Sequence, residues 1–305
     1  MLSIVLRLFI LLELACYATF ALRVLGLTPW GAALFALAAL IVLRVIITSI
    51  TFVFAWRYRS PAARLGVARV MRMFLEECVA FVVNFVVISP FERWWMGADR
   101  LQPASAATAT TRPPLVLIHG YGCSRAAWWW HRRHLQAAGW MVATLNLEPI
   151  YTSIDNYVDP LAQRIAEVFA VTGAAQVVLV GHSMGGLVAR AYLRAHGSDK
   201  VARLITLGTP HAGSQLAVAG FGENAHQMRL RSPWLEALNS TGLVVDTLTI
   251  FSPQDNYVMR QTNLTLPGAR QFIIDGLGHL AMLYSSRVAG ALLADLRSLA
   301  TNSQG

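Results

Sequence analysis

Apolar residues follow two regimes along this chain. Residues 2–55 are nearly continuous Leu, Ile, Val, Ala and Phe, whereas beyond residue 98 apolar and polar positions alternate in blocks. In the first regime, Leu2 to about Leu25 is interrupted by Arg7, Glu13 and Arg23, and Gly31 to Ala55 only by Arg44. Each stretch reaches the roughly 20 residues a helix needs to cross hydrocarbon. Gly26–Trp30 reads as a turn between them, with Trp30 suited to an interface. The pattern predicts a transmembrane helical hairpin with helices at about 2–25 and 31–55. A cleaved signal peptide is the competing reading. The second long span and the charges inside the first weigh against it. Glu13-Leu14-Ala15-Cys16 faintly resembles a lipoprotein cleavage site, but Glu13 stands where an aliphatic residue belongs.

Arg57, Arg59, Arg64, Arg69 and Arg72 come directly after the hairpin. The positive-inside rule places this segment, and so both ends of the hairpin, in the cytoplasm. Residues 62–88 then show helical spacing, with Arg69, Arg72, Glu76, Ala80 and Asn84 on one narrow polar stripe. Two readings stand. The helix lies along the membrane or against the hairpin, leaving the C-terminal two thirds of the chain cytoplasmic. Alternatively it is a third, short span, placing that part outside. Glu76, Glu77 and Asn84 are costly in hydrocarbon, which favours the first. Phe91, Trp94 and Trp95 suit an interface in either case. Residues 1–97 therefore read as a membrane-anchoring region, and the Ala/Thr/Pro-rich segment 98–114 as a linker.

From Leu115 strand-like and helix-like segments alternate. Strands are expected at 115–119, 141–147, 176–180, 201–208, 244–251 and 270–274, with helices at 124–138, 154–172, 185–196 and 285–300. Alternation of this kind means a mostly parallel sheet with helices on both faces, an α/β domain over 115–305. Sites in such sheets lie at the carboxyl ends of the strands. Residues 212–242 are long for a crossover and rich in apolar residues, and read as a cap-like insertion; packing of an ordinary crossover helix is the alternative.

At one such strand end stands Gly181-His182-Ser183-Met184-Gly185-Gly186. This is G-x-S-x-G after a strand and before a helix, the context that makes the motif specific for a nucleophilic serine on a sharp turn. Among eight histidines, His279 in Asp275-Gly276-Leu277-Gly278-His279 comes after the last strand on a glycine-rich loop and is the candidate base. His182 and His119 read as packing or loop-holding residues. His131, His134 and His196 read as helix-surface residues, while His211 and His226 fall where they could line the cleft. Asp255, just past the strand 244–251, is the candidate orienting carboxylate. Asp246 lies at the wrong end of that strand, Asp275 reads as a loop brace, and Glu223 and Glu236 fall in the cap. The order Ser183, Asp255, His279 is the one expected of a serine triad on such a sheet. An oxyanion needs preorganised donors, and the backbone N–H groups of Tyr121 and Met184 are the candidates.

Composition narrows the partners. The net charge is +9, carried almost wholly by arginine. That charge suits anionic lipid headgroups, or reflects genomic bias toward Arg. No interleaving of basic and aromatic residues points to nucleic acid. Cys16, Cys78 and Cys123 are far apart, and neither a metal-ligand cluster nor a cofactor fingerprint is expected.

Four segments together resemble bacterial triacylglycerol lipases of the α/β-hydrolase superfamily: Leu115–Gly122, Gly181–Gly186, Leu207–Gly213 and Asp255–Val258. The tail Gly276–Ser286 is similar to that of small Bacillus-type lipases. The resemblance covers about 115–300 and does not reach 1–114. It implies an α/β-hydrolase fold and hydrolysis of carboxylic esters, lipid acyl esters foremost, by a serine enzyme without cofactor or metal. With the hairpin, it implies a multi-pass protein of a bacterial inner membrane. Phospholipase, thioesterase and transacylase activities share the same fold and acyl-enzyme. Outside enzymes, an inactive hydrolase-fold scaffold that binds a membrane partner is the alternative.

Overall fold

The computed structural model describes residues 1–103 and 112–302, so residues 104–111 of the expected linker lie outside the described residues. Helices α1 (Leu2–Arg23) and α2 (Pro29–Tyr58) form an antiparallel pair. α2 starts where Thr28 Oγ1 accepts the Gly31 N–H, with Pro29 at the first helical position. Its buried residues are Ala32, Ala36, Leu40, Arg44, Thr48, Thr51 and Ala55, one stripe of mostly small side chains. Small residues let two helix backbones approach closely in lipid. The charges that interrupt the two spans meet each other there. Arg44 pairs with Glu13, and Tyr17 donates to the same carboxylate at 3.0 Å. An ionised group in an apolar span is tolerated when it is paired inside the bundle.

Helix α3 (Val67–Val82) continues through a π turn at Val83–Ile88 and a 3-10 turn at Ser89–Phe91 into the short α4 (Glu92–Met96). All three long N-terminal helical stretches, 2–23, 29–58 and 67–96, are apolar and long enough to cross a membrane. The polar stripe expected on the third is divided between its faces. Arg72 and Glu76 pair at 2.7 Å on its exposed side. Met73, Glu77, Ala80 and Asn84 are buried on the opposite side, against the C-terminal domain. Glu77 and Asn84 are thus withdrawn from both water and lipid.

The C-terminal domain is built on strands β1 (Leu115–Ile118), β2 (Val142–Thr144), β3 (Val177–His182), β4 (Val201–Leu207), β5 (Thr247–Phe251) and β6 (Arg270–Ile273). They form one parallel sheet of six strands in the order β2-β1-β3-β4-β5-β6. Helices α5 (Trp129–Ala137) and α10 (Ser286–Asn302) cover one face, and α6 (Val158–Thr172) and α7 (Met184–His196) the other. Every residue of β1 is buried, but alternate residues join different cores: Leu115 and Leu117 face Leu135 and Leu292, while Val116 and Ile118 face Leu161 and Leu187. The insertion holds a 3-10 turn at Gln215–Ala219 and two short helices, α8 (Gly222–Gln227) and α9 (Pro233–Asn239).

Replacing Arg44 with Leu leaves the Glu13 carboxylate buried without its partner, which costs roughly 3 kcal/mol. An SDS-unfolding titration of the purified protein should show that loss. The Glu13→Leu/Arg44→Leu double variant should recover most of it. A single variant as stable as the wild type would refute the pairing.

Candidate active site

The carboxyl edge of the sheet carries the residues the sequence singled out. β3 ends at His182, and Ser183 takes φ 54° and ψ −126° before α7 begins at Met184. A non-glycine residue at positive φ is strained, and such strain persists where the surroundings fix it. Here the Ser183 N–H donates to Leu207 O at 2.8 Å and Thr209 Oγ1 donates to Ser183 O at 2.9 Å. A methyl group on Gly185 would fall 2.1 Å from Ile118 O, so only glycine lets the helix close on the sheet at this depth. The side chain of Ser183 is left partly exposed at the turn.

Asp255 is wholly buried, yet both its carboxylate oxygens are satisfied. Oδ1 accepts the N–H groups of Tyr257 and Val258, each at 2.8 Å, and Oδ2 accepts Nδ1–H of His279 at 2.7 Å. With its proton on Nδ1, the imidazole keeps Nε2 free to act as a base. The ring lies beside Gly208, one residue after the carbonyl that receives the Ser183 N–H. Among the described residues the Ser183 hydroxyl makes no hydrogen bond. Tyr257 stacks on the His279 ring at 5.0 Å, and the His182 ring lies 4.7 Å away. Burial disfavours the charged imidazolium, but the Asp255 charge and hydrogen bond outweigh it, with help from Glu77. The pKa of His279 is therefore held above the ordinary histidine value.

The two oxyanion candidates, Tyr121 and Met184, lie in the loop after β1 and at the start of α7. Met184 is the first residue of α7, so its N–H has no acceptor in a preceding turn. The loop after β1 comes so close that a methyl on Gly120 would fall 2.8 Å from Ser183 Cβ, which brings the backbone of Tyr121 to the elbow. The Tyr121 hydroxyl accepts from Phe221 N at 2.8 Å and donates to Phe221 O at 2.7 Å, pinning this loop to the insertion.

The other titratable groups fall elsewhere. His119 accepts the Leu147 N–H at Nε2 and donates to Gly120 O; burial lowers its pKa to about 4, which keeps it neutral. His182 is buried and its Nε2 donates to His279 O at 3.2 Å. His134, His196 and His226 are exposed. His131 departs from the surface role expected of it: it is fully buried and donates to Met282 O at 2.8 Å, behind the His279 loop. His211 does not line an open cleft but is buried between Thr206 and Arg190. Asp246 pairs with Arg203 and Arg270 near the opposite end of β5. Among the described residues no group of three or more His, Cys, Asp or Glu is placed to hold a metal ion.

Several residues of the site were not singled out from sequence. Asn256 accepts the His279 N–H at 2.9 Å and donates to Thr51 Oγ1 of α2 at 2.7 Å. Gln261 donates to Asp255 O at 2.9 Å and accepts the Ser60 N–H at 2.8 Å. Glu77 of α3 accepts two N–H groups just after His279. The one sequence signal was the cost of a carboxylate in an apolar helix.

Residues 151–260 match the family model described as PGAP1-like alpha/beta domain. A triacylglycerol lipase of Burkholderia plantarii is 35% identical over 130 residues, covering 40% of this chain and 36% of the lipase. One of Pseudarthrobacter phenanthrenivorans is 37% identical over 117 residues, 36% of each protein. The chain thus spans little more than a third of the length of these curated relatives. The mature lipase BlEst2 of Bacillus licheniformis superposes with a TM-score of 0.57 at 20% identity, covering 65% of this chain and 96% of that one. The six-stranded sheet and its helices have the α/β-hydrolase fold, are related in sequence to bacterial triacylglycerol lipases and are preceded by long apolar helices.

Proposed function

We propose that this protein is a membrane-anchored serine hydrolase of carboxylic esters, with lipid acyl esters as its substrates and Ser183, His279 and Asp255 as its triad. The observation that carries the reading is the buried Asp255–His279 pair at 2.7 Å, beside a serine held at positive φ on the carboxyl edge of the sheet.

In this mechanism Nε2 of His279 takes the Ser183 proton as Oγ attacks the ester carbonyl carbon. The tetrahedral oxyanion meets the N–H groups of Tyr121 and Met184, donors that need no reorganisation as charge develops. Collapse breaks the C–O bond to the leaving alcohol, which takes its proton from His279 and leaves an acyl-serine. Water then loses a proton to His279 and attacks the acyl carbon, releasing the carboxylic acid and restoring Ser183. Asp255 holds the ring in the tautomer this cycle needs and stabilises the imidazolium that forms twice in it.

The reading also puts the catalytic domain on the cytoplasmic side. Before α1 the Met1 nitrogen pairs with Glu148 at 2.7 Å, and after α2 the Ser60 N–H donates to Gln261 at 2.8 Å, so both ends of the hairpin share the domain's side. Arg57, Arg59 and Arg64 lie on that side too, in agreement with the positive-inside rule. α3 turns its buried polar groups to the domain and exposes Val70, Leu75 and Val79, as a helix in the plane of the interface does. A reporter fused to the C-terminus that is active only outside the cytoplasm would overturn this orientation.

A fluorophosphonate probe should label the wild type and not Ser183→Ala. A wild type that does not label would instead favour an inactive scaffold. Hydrolysis of a panel of acyl chain lengths and headgroups by the purified protein then defines the substrate. Because the base must be neutral and its pKa is raised, kcat/KM should fall with decreasing pH with a midpoint above the ordinary histidine value of about 6.5. A midpoint below it would count against His279 as the base.

A further inference from the structure

The His279 loop is fastened from outside its own domain. Three successive backbone N–H groups, those of His279, Leu280 and Ala281, point to side-chain acceptors. Asn256 Oδ1 takes the first at 2.9 Å, Glu77 Oε1 the second at 3.0 Å, and Glu77 Oε2 the third at 2.8 Å. Consecutive N–H groups of this kind form a concave cradle for an anion. The anion that fills it here is a side chain of α3, some 200 residues earlier in the sequence. The fit is close: a methyl on Gly278 would fall 2.3 Å from Glu77 Oε2. Glu77 is completely buried, and each of its oxygens has a donor. Gln in its place would offer one carbonyl oxygen and turn an NH2 group toward the other N–H.

From this geometry we infer that Glu77 is a positioning residue for His279, through which the N-terminal helices complete the active site. The inference rests on the serine-hydrolase reading above. Two further ties run the same way: Thr51 of α2 holds Asn256, and Ser60 holds Gln261, which in turn holds the Asp255 carbonyl. The acid loop and the base loop are thus both fixed to the N-terminal region, whereas the serine is fixed by the sheet. Glu77 also adds negative charge near His279. The ring is faced by Asp255 from the loop after β5, by Tyr257 from the same loop, by His182 from β3 and by Glu77 from α3.

The test uses the full chain in lipid nanodiscs, with Glu76→Gln as the matched control on the exposed side of α3. The fluorophosphonate labelling rate is measured across pH for wild type, Ser183→Ala, Glu77→Gln, Gly278→Ala and the control. Glu77→Gln should label about 10- to 100-fold more slowly, the scale expected of a small misplacement of a reacting group. Its acidic limb should also move to lower pH, because a charge that favours the imidazolium is gone. The control should keep the wild-type rate and profile. A change of rate without movement of the limb would show that Glu77 only holds the fold, and would overturn the inference. So would a wild-type rate in Glu77→Gln while Ser183→Ala stays unlabelled, an outcome that leaves the serine assignment standing. If Glu77→Gln is not recovered folded, Gly278→Ala decides. It pushes the carboxylate off the His279 loop and should both slow labelling by a similar factor and move the acidic limb to lower pH; wild-type labelling by this variant, or slower labelling with an unmoved limb, would overturn the inference. A wild type that does not label removes the serine-hydrolase reading, and this inference with it.

Discussion

A carboxylate buried away from water must have its charge met by donors, and the architecture around this site follows from meeting that demand at Asp255. The residue is fully buried, so each lone pair left without a donor would carry the desolvation cost of an ionised group. Two backbone N–H groups and the His279 ring meet the demand. The two N–H groups require the tight turn Ser252–Val258 at the end of β5. The ring requires a loop after β6 that reaches back over β3. Tied at Nδ1, the ring lies beside Gly208 with its other nitrogen unprotonated. The same bond that satisfies a buried charge therefore also sets the tautomer of His279.

The N-terminal region obeys the same rule in an apolar setting. Several polar groups among its long apolar helices find partners inside the molecule. Glu13 and Arg44 meet each other. Asn84 donates toward Cys123 Sγ and accepts from the Tyr284 hydroxyl, and Thr51 receives Asn256. Glu77 enters the loop after His279. These contacts explain how α3 can be apolar enough to cross a membrane by composition and yet carry buried polar groups. Its outer face exposes Val70, Leu75 and Val79, and its inner face packs on the C-terminal domain. A helix so divided cannot rotate about its axis without exposing Glu77 to hydrocarbon and stripping two N–H groups of their acceptor, so its orientation is strongly specified.

Much of this was legible along the chain because local physics dominates there. The alternation of short apolar runs with amphipathic helices predicts the parallel sheet, and the observed strands fall within or close to the expected limits. The elbow was legible because a strained turn between a strand and a helix demands small residues at fixed offsets around Ser183. Asp255 and His279 could be ranked by their place at strand ends, since topology brings those ends to one edge. His131 misled because its helical spacing suggested a surface, whereas α5 packs that position against the turn after His279. Glu77, Thr51 and Asn256 were not legible as a set. Their bonds span about 200 residues, and no periodicity encodes which buried acceptor a distant N–H will find.

That long reach has a consequence for how the site is held together. The serine rests on β3 and α7, which are packed into the sheet by apolar side chains along their length. The acid and the base rest on loops: Leu277, Leu280, Met282 and Leu283 bury the His279 loop in the core, and hydrogen bonds set the path of its backbone. Bonds that hold them come from Thr51 of α2, from Ser60 just after it and from Glu77 of α3, and the outer surfaces of those helices are apolar and exposed. A bilayer around those surfaces resists tilting or withdrawal of the helices, since either motion would bring apolar area into water at roughly 25 cal/mol per Å². On the proposed reading, the placing of Asp255 and His279 is then held partly by the bilayer around the N-terminal helices.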